Sequence, residues 1–537
     1  MTGKMKQIAA GSGLIAIAIF VSRFLGLLRE VVISSRFGAQ NITDIYQASF
    51  MIPDMLNYLL AGGAFSIVLI PMLSKYITED GKSSFPKINE KGQEIFSAIF
   101  TPFTIIITSL TIIALILTPF FTTLLFPKYT KNPIQFLLLV RLTRIVLPAQ
   151  IFFMTGGLIN AVLRARGDFR GNVWGPIIYN LGIIAGGFFL ARFMGIEGLS
   201  LGALTGAILG PFFICFWLAR HSIEYKLSLD FKSPELKEYL KLTIPLMVGV
   251  SLLTVDQLLI RFFGARAGIA EGTISCLNYS RTIMLIPIGL VGQAAGQASL
   301  TYLSHLWQQG QKKEFTITLN QTMRAVIFLS FIFAGGIFLL AKPIVTLVFF
   351  RKAFTIANSH YTSELLRYII FAVPPFAALQ ILVNGYYSRK NTLRPMVVSS
   401  ICTVASFFVY YMFSERFKGP GIAIASLVCF WILFLVTFAD YYYRYSDEEH
   451  IDIKSYLSTG IKSFLSVLFA LCITYVLFEN PGVIHFNPDK KWGAGLLIGF
   501  AGACYTGLVI GASMLMGGDE ADTLKRLLKK IIRKIIR

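Results

Sequence analysis

The chain has 537 residues, of which 55% are hydrophobic and only 14% charged, with a mean hydropathy of +0.67. A soluble protein of this size carries about 25% charged residues, so a water-soluble globular fold is excluded. The formal net charge of +21 would mark a nucleic-acid binder in a soluble chain, but here most of the excess falls in loops between apolar runs, and no nucleic-acid partner is expected.

Fourteen apolar segments are predicted, over 8–36, 44–75, 92–120, 134–163, 172–192, 198–219, 239–263, 275–304, 320–349, 362–388, 395–413, 419–441, 456–478 and 491–516. The fold class is therefore an all-α polytopic membrane protein. Segment 1 is too long for a cleavable signal, carries arginines and lacks a small-residue cleavage site, so it is expected to remain as the first span. Within it lies Val21-Ser22-Arg23-Phe24-Leu25-Gly26-Leu27-Leu28-Arg29-Glu30. A cation in hydrocarbon costs roughly 2.5–3.5 kcal/mol on insertion scales, and chains keep one where it faces a watery cavity or an anionic ligand. Ser22, Arg23, Gly26 and Arg29 are accordingly candidate cavity residues, with Gly26 leaving space beside both arginines for a bulky headgroup or a close helix.

Asp44 opens segment 2 after Thr43, a position that also suits an N-cap. Arg141 and Arg144 stand near the head of segment 4, at the interface or in the cavity. Asp256 lies deep in segment 7 beside Gln257, as an ion or proton site or as the ion-pair partner of an arginine. In segment 8, Ser275, Asn278 and Arg281 recur every three residues and form one polar stripe, facing either a cargo cavity or an interhelical hydrogen-bond network. Arg324, Arg367 and Lys462 lie near segment ends and are expected to snorkel. The tail over 524–537 alternates apolar and basic pairs at helical spacing, and is expected to lie on anionic membrane lipids as an amphipathic helix.

The chain repeats itself weakly. Leu158-Ile159-Asn160-Ala161 resembles Leu382-Val383-Asn384-Gly385, each following a proline near its helix start, Pro148 and Pro374. Ala64 to Ser74 resembles Ala294 to Ser304. The domains read as two parallel six-helix lobes, 1–220 and 221–445, two further helices over 446–516, and a basic tail over 517–537. Transporters built this way hold their cargo between the halves. Lys and Arg favour the loops on the side of the N-terminus, which places both termini in the cytoplasm.

There is no Walker A motif, HExxH or GxSxG. The six cysteines lack a CxxC pair and the five histidines lack metal spacing, so no enzyme, metal or redox cofactor is expected. An Na+ or proton gradient, or the membrane potential, is the expected driving force. From the residues alone the function is export or flipping of an anionic amphiphile, its phosphate held by arginine forks.

The Ser22–Glu30 run resembles the SRxLGxxRD signature of the MurJ (MviN) family of lipid II flippases, in the MOP exporter superfamily. Phe37-Gly38-Ala39, Thr43-Asp44, Ile52-Pro53, Gly63-Ala64-Phe65-Ser66, Asn160-Ala161 and Leu277-Asn278-Tyr279 resemble its further blocks. The resemblance implies two lobes in a V around a cationic cavity, with the last two helices lining a lipid-tail groove. It implies an undecaprenyl-pyrophosphate-linked saccharide-peptide cargo moved across the bacterial inner membrane for cell-wall synthesis. It carries the family's cavity roles onto Arg23, Arg29 and Asp44. The chain departs from the pattern at Asn57, where the family has an arginine, at Gly62, where it has a glutamate, and at Arg281, one place before the family's arginine. Asn57 is kept as a cavity candidate. The rival readings are a flippase for another undecaprenyl-pyrophosphate oligosaccharide, a MATE-like antiporter, and a non-transporting scaffold.

Overall fold

The computed structural model describes residues 21–60, 64–78, 85–220, 222–248, 252–446, 452–478 and 486–517. The start of segment 1 and the basic tail lie outside them. Among the described residues, ten helical stretches are long and apolar enough to cross a membrane. They account for segments 3–6 and 8–14, because Leu393–Tyr445 contains two: its backbone turns left-handed at Lys418 (φ 54°, ψ −129°), beside Gly419, Pro420 and Gly421. Segments 1, 2 and 7 run through residues outside the described set, so the count of fourteen remains a sequence expectation. Their described parts are helical, over 21–37, Asn41–Ser49, Met51–Leu60, Ala64–Ser74, Pro234–Val248 and Leu252–Gly264. Among the described residues, the departure from an all-α chain is a pair of two-residue antiparallel strands, Ile77–Thr78 and Lys87–Ile88.

Local chemistry sets these boundaries. Gly38, at φ 70°, ends the first helix, its N–H donating to the Ser34 carbonyl, as a C-terminal glycine does. Asn132 caps Pro133–Val146 by accepting from the N–H groups of Ile134 and Gln135. Ser233 accepts from the Leu236 N–H ahead of Pro234, so segment 7 begins before its expected start at 239. Segment 9 ends at Leu339, and a separate helix, Ala341–Phe349, follows the turn at Leu340. Buried Thr118, Thr143, Thr437 and Thr474 each donate to the carbonyl four residues back. That removes the penalty of a bare hydroxyl in an apolar span.

The chain divides into two compact units: Met1–Val250 with Ile260–Ser275, and Ser251–Leu259 with Cys276–Arg537. The first keeps Pro234–Val248, which the sequence assigns to the second lobe. Tyr239 is the reason, because it is fully buried in a core of Leu69, Ile99, Phe103, Leu158 and Val162 and meets Phe103 edge-on at 6.4 Å. Segments 5 and 6 approach closely here at a row of glycines. A Cβ on Gly182 would lie 2.6 Å from the Gly206 Cα, one on Gly202 2.5 Å from the Gly182 carbonyl oxygen, and one on Gly210 2.5 Å from that of Gly175. Gly198, Gly202, Gly206 and Gly210 recur every four residues, which aligns them on one helix face.

The second unit has a core of Leu303, Phe315, Leu319, Ile381, Tyr386 and Tyr441. Segment 14 docks on segment 9 through Tyr505, whose hydroxyl donates to the Ile332 carbonyl at 3.0 Å and whose ring lies over Gly335 and Gly336. Phe193, Ile116 and Phe408 stand outward on the spans, exposed by 88%, 68% and 66%, as residues that face lipid rather than water do.

Adding a methyl to the glycine face should be felt at once. We expect Gly202→Ala to destabilise the protein by about 1–3 kcal/mol. Gly511→Ala, whose Cβ meets nothing within 4 Å, should leave the thermal unfolding midpoint in detergent unchanged. An unchanged midpoint for Gly202→Ala would refute the backbone contact.

Candidate functional site

The described part of segment 1 begins one residue before Ser22. Ser22 and Arg23 border a cavity of about 590 Å³ within the first unit, together with Asn160, Asn172, Pro176 and Tyr179. Arg23 is half-buried. Asn160 donates its amide to the Asn172 side chain, and Gly171 makes the approach possible, since a Cβ there would lie 2.5 Å from the Asn160 amide oxygen. One turn on from Ser22, a Cβ on Gly26 would meet nothing within 4 Å.

Arg29 is differently placed. Its Nε and Nη2 both donate to Glu30 Oε1, at 3.0 and 2.6 Å, and its Nη1 donates to Asn180 Oδ1 at 3.1 Å. Adjacent residues on a helix do not normally face each other, but here the guanidinium folds back far enough to meet its neighbour. Glu30 is 2% exposed and Arg29 27%, so the pair presents one shielded charge and one accessible edge. Asn180 is fixed by donating to the Pro176 carbonyl at 2.9 Å, and Pro176 and Tyr179 line the Arg23 cavity. A second pair in the same unit joins Arg261 to Asp54 at 2.6 Å. Tyr46 and Tyr179 lie within electrostatic reach of both Arg29 and Arg261.

Asp44 and Ser275 correct the cavity expectation. Both are fully buried. The Asp44 carboxylate accepts from the Gly272 N–H at 2.7 Å, and from the Ser275 N–H and hydroxyl at 2.8 and 2.7 Å. It caps the start of the segment-8 helix, Thr273–Pro287, where N–H groups are otherwise left without helical acceptors. It does not cap its own helix, whose N-cap is Gln40. Gly272 is obligatory in this clamp: its φ is +83°, and a Cβ would lie 2.3 Å from the Ala39 carbonyl oxygen. Asn57 donates to Gln150 Oε1 at 2.8 Å, a neutral pair in place of the family's cation.

In the second unit Arg281 is ion-paired with Asp256. The other Asp256 oxygen accepts from the Tyr410 hydroxyl at 2.6 Å and the Ser426 hydroxyl at 2.7 Å. Of the two roles expected for Asp256, the structure gives ion pairing. Its charge is met by a guanidinium, and an Na+ ion would have to displace it. Arg281 is buried with its partner, and Asn278, half-buried, is the most accessible member of the stripe. Arg141 pairs with Glu197 at 3.0 Å on the surface, and Arg144 donates to the Leu115 carbonyl. Asp54, Tyr410 and Ser426 carry roles that their sequence neighbourhoods do not announce, whereas Glu30 closes the signature run and Arg261 is a cation within segment 7.

Removing one partner of a buried ion pair costs about 3–5 kcal/mol, while replacing both by apolar groups is close to neutral. We therefore expect Asp256→Leu and Arg281→Met each to lower the unfolding midpoint sharply, and the double variant to recover most of it. A double variant as unstable as the sum of the singles would refute the pairing.

A family model described as lipid II flippase MurJ matches residues 33–488. A Rhizobium tropici protein described as "probable lipid II flippase MurJ" is 25% identical over 521 residues, covering 95% of this chain and 94% of its own. A solved structure of lipid II flippase MurJ in an inward closed conformation superposes with a TM-score of 0.74 at 23% identity, over 92% of this chain and 97% of that one. An inward-facing multidrug resistance MATE transporter of the MOP superfamily superposes at 0.64 and 14% identity, over 79% and 95%. The structural likenesses establish a MOP-type fold. With the family model matching most of its length and the Ser22–Glu30 signature arranged as described, the chain belongs to the lipid II flippase MurJ family.

Proposed function

We propose that this integral membrane protein moves lipid II, an undecaprenyl-pyrophosphate-linked disaccharide-pentapeptide, from the cytoplasmic to the periplasmic leaflet of the bacterial inner membrane. The observation that carries this reading is the half-buried Arg23 at a cavity furnished with the Asn160 and Asn172 amides. A guanidinium presents a rigid fork that matches two phosphate oxygens, and hydroxyl and amide groups suit a saccharide. Arg29 lends a second, partly shielded charge. A diphosphate entering beside it competes with Glu30 and is drawn in without facing a bare cation cluster. The polyprenyl tail stays in the bilayer while the headgroup crosses.

The cycle is alternating access of two lobes, 1–220 and 221–445, with helices over 446–516 serving the lipid tail, and an ion gradient or the membrane potential biasing the return. Both termini belong on the cytoplasmic side, where the lysines and arginines in the sequence over 524–537 favour anionic lipid. A second reading, a flippase for another undecaprenyl-pyrophosphate oligosaccharide, is favoured by the neutral Asn57–Gln150 pair. Rescue of cells depleted of their lipid II flippase separates the two.

The test is transfer of labelled lipid II in reconstituted vesicles. Loss of a charge-assisted phosphate contact of about 1.5–3 kcal/mol corresponds to a rate at least about tenfold lower for Arg23→Ala, with Arg23→Lys retaining part. Wild-type rates in Arg23→Ala would remove the site from the proposal, and no transfer by the wild type would remove the function.

A further inference from the structure

The second unit holds another polar cavity, remote in sequence from the signature. It has a volume of about 570 Å³ and is lined by Lys342, His360, Arg367 and Asp489 against Leu340, Phe478 and Leu497. A neighbouring cavity of about 520 Å³ shares Lys342, His360 and Arg367 and adds Glu364. Lys342 Nζ and His360 Nε2 lie 3.0 and 3.3 Å from one oxygen of Asp489. That oxygen is buried, yet neither contact has hydrogen-bond geometry. Leu339, Leu340 and Lys342 bring the N-terminus of the nine-residue helix Ala341–Phe349 to the cavity wall, and Leu340 supplies no side-chain cap. A lysine in a first helical turn opposes the helix dipole, and an anion placed there satisfies both.

The charges are mixed. Lys342, Arg367 and the helix N-terminus attract an anion, while Asp489 and Glu364 attract a cation. A simple phosphate answers only half of this. A zwitterion with phosphate and ammonium a few atoms apart answers all of it. The apolar wall belongs to a core cluster of Leu340, Phe478, Leu497 and Ala501, at the point where Ile453–Phe478 ends and Lys491–Leu515 begins. Trp492, Leu496 and Phe500 stand exposed beside it, and an outward tryptophan at a helix start marks the headgroup level of a bilayer. We propose that this cavity binds the headgroup of a zwitterionic phospholipid of the phosphatidylethanolamine class, its phosphate toward Lys342 and Arg367 and its ammonium toward Asp489 and Glu364.

The full-length protein, purified in detergent and stripped of lipid, is titrated with phosphatidylethanolamine and phosphatidylglycerol, with bound lipid counted by native mass spectrometry. Phosphatidylethanolamine should bind the tighter. Arg367→Gln should weaken both lipids by about tenfold or more. Asp489→Asn should weaken phosphatidylethanolamine and strengthen phosphatidylglycerol, a crossing that misfolding cannot produce. A photoactivatable phosphatidylethanolamine should crosslink the wild-type protein within 486–497, which tests the site without any variant. Tighter phosphatidylglycerol binding, no crossing at Asp489→Asn, or crosslinks elsewhere overturns the proposal.

Discussion

A guanidinium in an apolar helix bundle has to be met by an acceptor or by water, and the packing of this protein answers that demand site by site. Arg281 is met by Asp256, which Tyr410 and Ser426 hold in turn. Arg29 is met by Glu30 and Asn180, and Arg261 by Asp54. Such pairs add little net stability compared with apolar replacements. Their effect is on which helices meet: segment 7 reaches segment 2 through Arg261, and segments 8, 11 and 12 through Asp256. Arg23 borders a cavity.

Segments 3–6 and 8–14 were legible because hydropathy survives any arrangement of neighbours. Breaks depend on less. The kink between segments 11 and 12 is written in Gly419-Pro420-Gly421, whereas the turn at Leu340 is marked only by Pro343, which lies inside the first turn of the new helix and has no N–H for the Leu339 carbonyl. For the candidate site, Ser22 and Arg23 stood out because a cation within an apolar helix is conspicuous, and both border a cavity. The partner of Asp256 could not be fixed, since Arg281 lies 25 residues on, and Tyr410 and Ser426 lie 154 and 170 residues on in ordinary apolar runs. Asp44 misled for the same reason. A carboxylate at a helix start looks like a cap for its own helix, and the donors it serves come 228 and 231 residues later.

The signature itself gains a physical reading. Its arginine and the acid that follows form a unit in which Glu30 is hidden and Arg29 remains reachable. An arginine without that neighbour would be more attractive to phosphate but harder to keep in the membrane. Elsewhere Asn57 and Gln150 meet as neutral amides, and neither needs a counterion.

The glycine seam between segments 5 and 6 has a mechanical consequence. Where backbone rests on backbone there are no rotamers to adjust, so the two helices have nothing to yield with and behave as a single stiff plate. Gly175 and Pro211 belong both to that seam and to the wall of the Arg23 cavity. That stretch of wall is therefore fixed by the packing of the two helices, and the adjustable groups of the cavity are the side chains around it, Arg23, Asn160, Asn172 and Tyr179.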